Sequence, residues 1–495
     1  MKPARLKLGF DHYWAAVQRV IGVLLIFFSA AMLIPAMIAL AYGDGGFEAF
    51  VQSFGIGLAA GLLLWVPVRH VHRDLRIREG FLIVTLFWLV LGLFGALPFV
   101  LAARPEMTFT NAAFESVSGL TTTGATVLTG LDTLPHAILF WRQLLHWIGG
   151  MGIIVLAVAI LPMLGAGGMQ LVKAETPGPI KDDKLTPRIK KTAASLWWTY
   201  TTITLACAAT YWALGMEPFD AITHAFATLA TGGFANYDTS LAYFQSDAIL
   251  VAAIVFMVIS GASFSLHFLS WRTGSLRPYL RNLECHTYLA ILGTTSCLVA
   301  VVLYVQGIFE MPGEAMLQAT FQVVSIMTDT GFASTDFSVW PSFVPVLLML
   351  IACIGGCAGS TSGGIKIVRL VLLIKQTRRE LLGLIHPSAT FSIKLDDRVL
   401  SDRVVKGVWA FFFLYVAGFA AMVLLLMALG LSGLTAFSAV AACINNMGPA
   451  LGAAASNFLP IDAPAKWLLI VAMIGGRLEI FTLLVIFTPE FWRRW

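Results

Sequence analysis

The sequence predicts an all-α polytopic membrane protein in which four pseudo-symmetric repeats, each a span, a pore helix, a loop and a second span, surround a central pore behind two N-terminal spans. Three observations predict it. Of 495 residues, 58% are hydrophobic and only 12% charged, against about 25% charged in a soluble domain. The apolar residues fall in runs of about 20, which at ~1.5 Å per residue cross ~30 Å of hydrocarbon. A short glycine-bearing polar segment recurs four times between such runs. This composition excludes a soluble enzyme.

Full-length spans are expected at 17–42, 51–68, 81–101, 138–161, 195–214, 247–271, 285–307, 406–429 and 465–488, with an overlong interrupted stretch at 343–375. The first run exceeds a signal-peptide core and reads as a retained span. A net charge of +5 and a pI near 8.9 do not point to nucleic acid, because the basic residues lie in short blocks between apolar runs. With the N-terminus in the cytoplasm, the blocks Arg69–Arg78, Lys173–Lys191, Arg272–Arg281, Lys366–Lys406 and Arg493–Arg494 fall on one side, as the positive-inside rule requires. The opposite side is acidic, with Glu106, Asp132, Glu217, Asp238, Glu314 and Asp336 among its residues. An acidic vestibule concentrates cations.

On that acidic side lie segments too short and too polar to cross, at 106–130, 217–238, 312–336 and 432–449. Each joins 10–12 apolar residues to a polar run with glycine. A half-length helix with such a loop survives at membrane depth only where the loop lines water or protein. Aligning one glycine per segment gives Phe114-ESVSGLTT-Thr123-Gly124, Thr223-HAFATLAT-Gly232-Gly233, Phe321-QVVSIMTD-Thr330-Gly331 and Ser438-AVAACINN-Met447-Gly448. The first and third share F-x-x-V-S-x-x-T-x-T-G, the mark of an internal repeat. The expected units are 80–168, 190–275, 283–380 and 404–495, behind a two-helix extension at 1–79.

Four loops meeting at an axis offer backbone carbonyls to a dehydrated cation without a fixed charge. Turning consecutive carbonyls to one side strains any residue with a Cβ, hence the recurring glycine. The candidate cation-lining residues are Thr122, Thr123, Gly124, Thr231, Gly232, Gly233, Asp329, Thr330, Gly331, Asn446, Met447 and Gly448. Helix C-termini aimed at mid-membrane favour a cation there.

The interrupted stretch supplies a candidate gate. Phe343–Ile354 is apolar, and Gly355, Gly356, Gly359, Ser360, Thr361, Ser362, Gly363 and Gly364 then form a flexible intramembrane loop. It is no phosphate loop, because G-x-x-x-x-G-K-[ST] and a preceding strand are both lacking. Arg477 lies mid-membrane, where an arginine costs at least ~2.5–3.5 kcal/mol on insertion scales and needs a partner. Glu479, pore water and the carbonyls of the 355–364 loop compete for it; the loop is favoured because Gly475 and Gly476 permit close approach.

Other residues carry less. Six cysteines in apolar stretches show no C-x-x-C or His spacing and read as packing residues. His70 and His72 read as a solvated basic face and His224 as a hydrogen-bonded helix residue. Glu115 is the one acid near the loops with electrostatic reach. No arrangement for catalysis appears.

The four loops, the Gly/Ser loop of the third repeat and the arginine of the fourth together resemble the Trk/Ktr/HKT superfamily of potassium transporters, and with two extra N-terminal spans the bacterial TrkH/TrkG branch. The resemblance implies potassium uptake across a bacterial inner membrane, potassium held by carbonyls near the four glycines, and no organic cofactor. It implies a gate held by Arg477, a homodimer with one pore per subunit, and a cytoplasmic TrkA-type nucleotide-binding regulatory subunit. In that group a serine at the first glycine goes with sodium, so Gly124 favours potassium. The alternative is an ion-coupled secondary transporter, either a potassium symporter or an organic solute carrier; the latter expects two inverted repeats and one site.

Overall fold

The computed structural model describes residues 12–71, 77–160, 185–396 and 398–493. The basic residues Lys2, Arg5 and Lys7, Arg494, His72 and parts of the Arg69–Arg78 and Lys173–Lys191 blocks lie outside them. The regular secondary structure of the described residues is helical, apart from a small antiparallel hairpin pairing Lys394 with Val399 and Leu395 with Arg398.

Among them, Trp14–Tyr42, Phe47–Val68, Arg78–Leu101, Leu283–Val305 and Asp402–Ala428 are long and apolar enough to cross a membrane. Their outer faces expose large apolar side chains such as Phe27, Leu63, Val305 and Phe413, which lipid tails solvate as readily as a protein core does. The first two pack through small residues, with the Gly22 and Gly61 backbones so close that a methyl on either would lie 3.0–3.1 Å from the other's carbonyl oxygen.

Two expected spans are broken. The 247–271 run bends by 96° between Asp247–Gly261 and Phe264–Thr273. The reason is competition for its backbone: Gly261 O accepts from Cys357 N at 2.8 Å, and Phe264 N donates to Gly359 O at 3.0 Å. The intramembrane loop has thus replaced the bonds that would have carried the helix through. The 465–488 run ends as a helix at Arg477 and resumes at Phe481–Ile486. Between them Glu479 and Ile480 both take left-handed φ, 54° and 55°. A β-branched residue holds that conformation only under tertiary constraint. Here Gly476 is pressed against the Ile444 carbonyl, and Glu479 is tied to Arg369.

The four short helices are Phe109–Leu120, Pro218–Ala230, Pro312–Met327 and Gly433–Ile444. Their starts follow from sequence. Thr108 and Ser432 cap the first and fourth by accepting from Asn111 N and Thr435 N, and proline occupies the first turn of the second and third. Their inner halves are buried almost completely, which seats the loops that follow at the centre of the helical assembly.

Candidate functional site

Each short helix ends in the same way. Thr122, Thr231, Asp329 and Asn446 take left-handed φ between 51° and 58°. The next amide reaches back five residues: Thr123 N to Ser118 O, Gly232 N to Ala227 O, Thr330 N to Ser325 O and Met447 N to Ala442 O, all at 2.8–2.9 Å. This is the double-bonded helix stop that usually recruits glycine. Two residues past each helix-ending turn stand Gly124, Gly233, Gly331 and Gly448, at φ between 76° and 92°. Alternating left- and right-handed residues turn the helix into an extended strip.

The four strips close on one another in cyclic order. A methyl built on Gly124 would overlap the Gly232 carbonyl, one on Gly233 the Thr330 carbonyl, and one on Gly331 the Met447 carbonyl; one on Gly448 would lie 2.6 Å from Thr123 O. Glycine is required here by both φ and space. Among the described residues, no carbonyl of segments 122–124, 231–233, 329–331 or 446–448 accepts a hydrogen bond from the protein. More than nine in ten buried carbonyls are normally paired. A ring of unpaired carbonyls is a binding surface for a cation or its water.

Side chains brace the ring from behind. Thr121 and Thr123 hydroxyls meet at 2.8 Å, and so do those of Thr328 and Thr330. Asn446 donates to Thr123 Oγ1 and Met473 O, each at 2.9 Å, tying the fourth loop to the first. Glu115 and Arg142 form a buried ion pair at 2.8 Å. Glu115 also accepts from Val127 N, while Arg142 donates to Ala235 O and lies 4.1 Å from the Phe234 ring centroid, binding the first two loops together. His146 Nδ1 donates to Gly119 O at 2.7 Å and Nε2 accepts from Phe234 N at 3.2 Å. A carbonyl can only accept and an amide only donate, so this fixes a neutral tautomer. His224 repeats the device, with Nδ1 donating to Asp220 O and Nε2 accepting from Asn236 N.

Neither Arg142 nor His146 is apparent as a site residue in the sequence, since both sit in an apolar span. The signal for the partner of Arg142 lay in the repeat: one register position holds Glu115, His224 and Gln322, and each hydrogen-bonds the backbone three or four residues past its glycine.

The intramembrane loop lies under the ring. Gly355, Gly359 and Gly364 have φ of 71–73°, and Gly356 N donates to Ser362 Oγ at 2.9 Å. Ser360 Oγ donates to Cys357 O, and Thr361 Oγ1 donates to Leu229 O at the end of the second short helix. Ser362 Oγ donates to Asp329 Oδ2 at 2.7 Å. Gly363 faces the Asn445 carbonyl with no room for a side chain. Arg477, 2% exposed, donates to Thr361 O at 2.9 Å and to Gly149 O at 3.2 Å. Glu479 is not its partner; it pairs with Arg369 instead.

Two further anchors were hidden. Lys366, expected in a cytoplasmic basic block, is 6% exposed and donates to Ser362 O. Glu284, at the start of Leu283–Val305, accepts from Ala358 N at 2.7 Å and Val368 N at 3.1 Å, so one carboxylate grips both sides of the loop. Among the described residues no cluster of three His, Cys, Asp or Glu is placed to hold a metal.

A family model described as TrkH, cation transport protein, matches residues 47–494. The chain is 51% identical to the Trk system potassium uptake protein TrkH of Escherichia coli over 97% of its length and 100% of that protein's. It is 39% identical to the TrkG protein of the same organism, over 96% and 98% of the two chains. Its structure is similar to the crystal structure of the potassium transporter TrkH from Vibrio parahaemolyticus, with a TM-score of 0.90, 48% identity and coverage of 97% and 100%. A ring of four glycine strips above an intramembrane loop thus coincides with full-length similarity in sequence and fold, and the chain belongs to the TrkH family of cation transport proteins.

Proposed function

We propose that this chain is a potassium uptake pathway and not an enzyme, in which the four strips at Thr122–Gly124, Thr231–Gly233, Asp329–Gly331 and Asn446–Gly448 form the selectivity filter. One observation carries the reading: the unpaired carbonyls, most of them on buried residues, around a closed ring. Potassium sheds its water only where oxygens replace it on several sides, and successive carbonyls from four strips do so without a charged side chain at the axis. The buried pair Glu115–Arg142 and the neutral His146 hold adjacent strips at fixed separation, so the ring does not collapse onto a smaller ion. The four expected repeats each contribute one strip, and potassium is the transported ion held there, with no organic cofactor.

The loop Gly355–Gly364 is the gate, held shut by Arg477 through Thr361. The protein sits in the bacterial inner membrane with a cytoplasmic N-terminus, as a homodimer with one pore per subunit. A cytoplasmic TrkA-type nucleotide-binding subunit regulates it from the basic side. The test is rubidium uptake into vesicles holding the purified full-length protein, with and without a sodium or proton gradient. Uptake that potassium suppresses and sodium does not is the expected result. Equal suppression by both ions, or no uptake under any gradient, overturns the filter reading.

A further inference from the structure

The four residues that end the short helices in left-handed conformation are Thr122, Thr231, Asp329 and Asn446, so only the third quarter of the ring carries an acid there. Its side chain is fully buried. It points neither to lipid nor to the outer mouth but to the intramembrane loop, where Oδ2 accepts from the Ser362 hydroxyl at 2.7 Å. That hydroxyl has one proton, and it is committed to Asp329, because its oxygen already accepts from Gly356 N. The Gly363 amide of the same loop also faces the carboxylate, while Oδ1 itself makes no hydrogen bond among the described residues. Lys366, whose ammonium holds the Ser362 carbonyl, and Arg477, which holds Thr361, are the cations whose fields reach the carboxylate.

We propose that Asp329 is the latch between filter and gate: it holds the intramembrane loop shut through Ser362 and, once the loop withdraws, stands as a lone negative charge that binds cations at the inner mouth of the filter. This rests on the reading of Gly355–Gly364 as the gate. Withdrawal removes the Ser362 donor, pulls the Ser362 carbonyl off Lys366 and breaks the Thr361–Arg477 bond. The carboxylate then faces the path with an oxygen that was unpaired even in the closed state. Since the other three quarters present only neutral groups at this level, the charge is single and off-axis.

The test uses the full-length protein in vesicles and in planar bilayers. Resting rubidium flux is measured for Ser362→Ala, Asp329→Ala and the double variant. Each single change is expected to raise flux at least about fivefold, and the double to equal Asp329→Ala alone, because removing the carboxylate already removes the Ser362 contact. Unchanged flux, or additive effects, overturns the latch. Ser362→Ala leaves the filter loop intact and keeps the test decisive where Asp329→Ala does not insert. In a variant with Gly355–Gly364 shortened, block by barium from the loop side reads the released charge. Asp329→Asn is expected to raise the half-blocking concentration about tenfold; an equal block overturns the cation-binding role. If shortening the loop raises flux and Ser362→Ala does not, the latch fails and the gate stands. If shortening leaves flux unchanged, the gate fails and the latch with it.

Discussion

Replacing Arg477 by alanine gives the most direct reading of how tightly the intramembrane loop is held. The guanidinium makes one bond to the loop, to Thr361 O at 2.9 Å, and one to the helix His136–Ile160, at Gly149 O. On the proposed gating reading only the first changes when the loop moves, so only the first weighs on the balance between closed and open. A hydrogen bond to a charged group is worth about 1.5–3 kcal/mol, which corresponds to about 10- to 150-fold in a two-state population. Arg477→Ala is therefore expected to raise resting rubidium flux into vesicles by an amount in that range. Arg477→Lys keeps the charge but cannot span both carbonyls, and its flux is expected between wild type and alanine. Rubidium flux equal to or below wild type, from protein shown to be inserted in equal amount, would refute the holding role.

Gly124→Ser puts a side chain where φ is 81° and the Gly232 carbonyl leaves no space; the backbone alone costs about 1–2 kcal/mol, the first and second strips must separate, and competition uptake should show potassium losing ground to sodium. Glu284→Ala frees two buried amides at 358 and 368, and resting flux should rise while Glu284→Gln, which still accepts, stays closer to wild type. Removing one member of the buried Glu115–Arg142 pair strands the other charge at a cost of about 3–5 kcal/mol. Arg142→Met should thus lower the thermal midpoint in detergent sharply, whereas Glu115→Leu with Arg142→Met together should recover most of it.

The four strips can be read from sequence because the requirement is a backbone one: where a chain must take positive φ against a neighbouring carbonyl, the residue type itself is restricted, and Gly124, Gly233, Gly331 and Gly448 mark it openly. The bracing groups carry no such mark. Arg142 and His146 become recognisable only when the fold brings Glu115, Gly119 and Phe234 beside them. Lys366 belongs by sequence with a run of cytoplasmic bases, and only the path of the loop draws it inward. The bend at 261–264 escapes hydropathy altogether, since its cause is a loop about a hundred residues downstream that takes over the backbone bonds.

Because all four strips belong to one polypeptide, the ring is free to be unequal. In a channel assembled from four identical chains every substitution arrives in quadruplicate, and a plug or an acid suited to one side is forced on all. Among the described residues, the third quarter alone has an acid at the helix-ending position and a long Gly/Ser loop inserted between the halves of its inner helix, whereas the inner helices of the second and fourth quarters are broken only by short bends. Such a molecule can acquire a stopper in one corner without reshaping the aperture, so control of passage and discrimination between ions are able to evolve on separate stretches of the same gene.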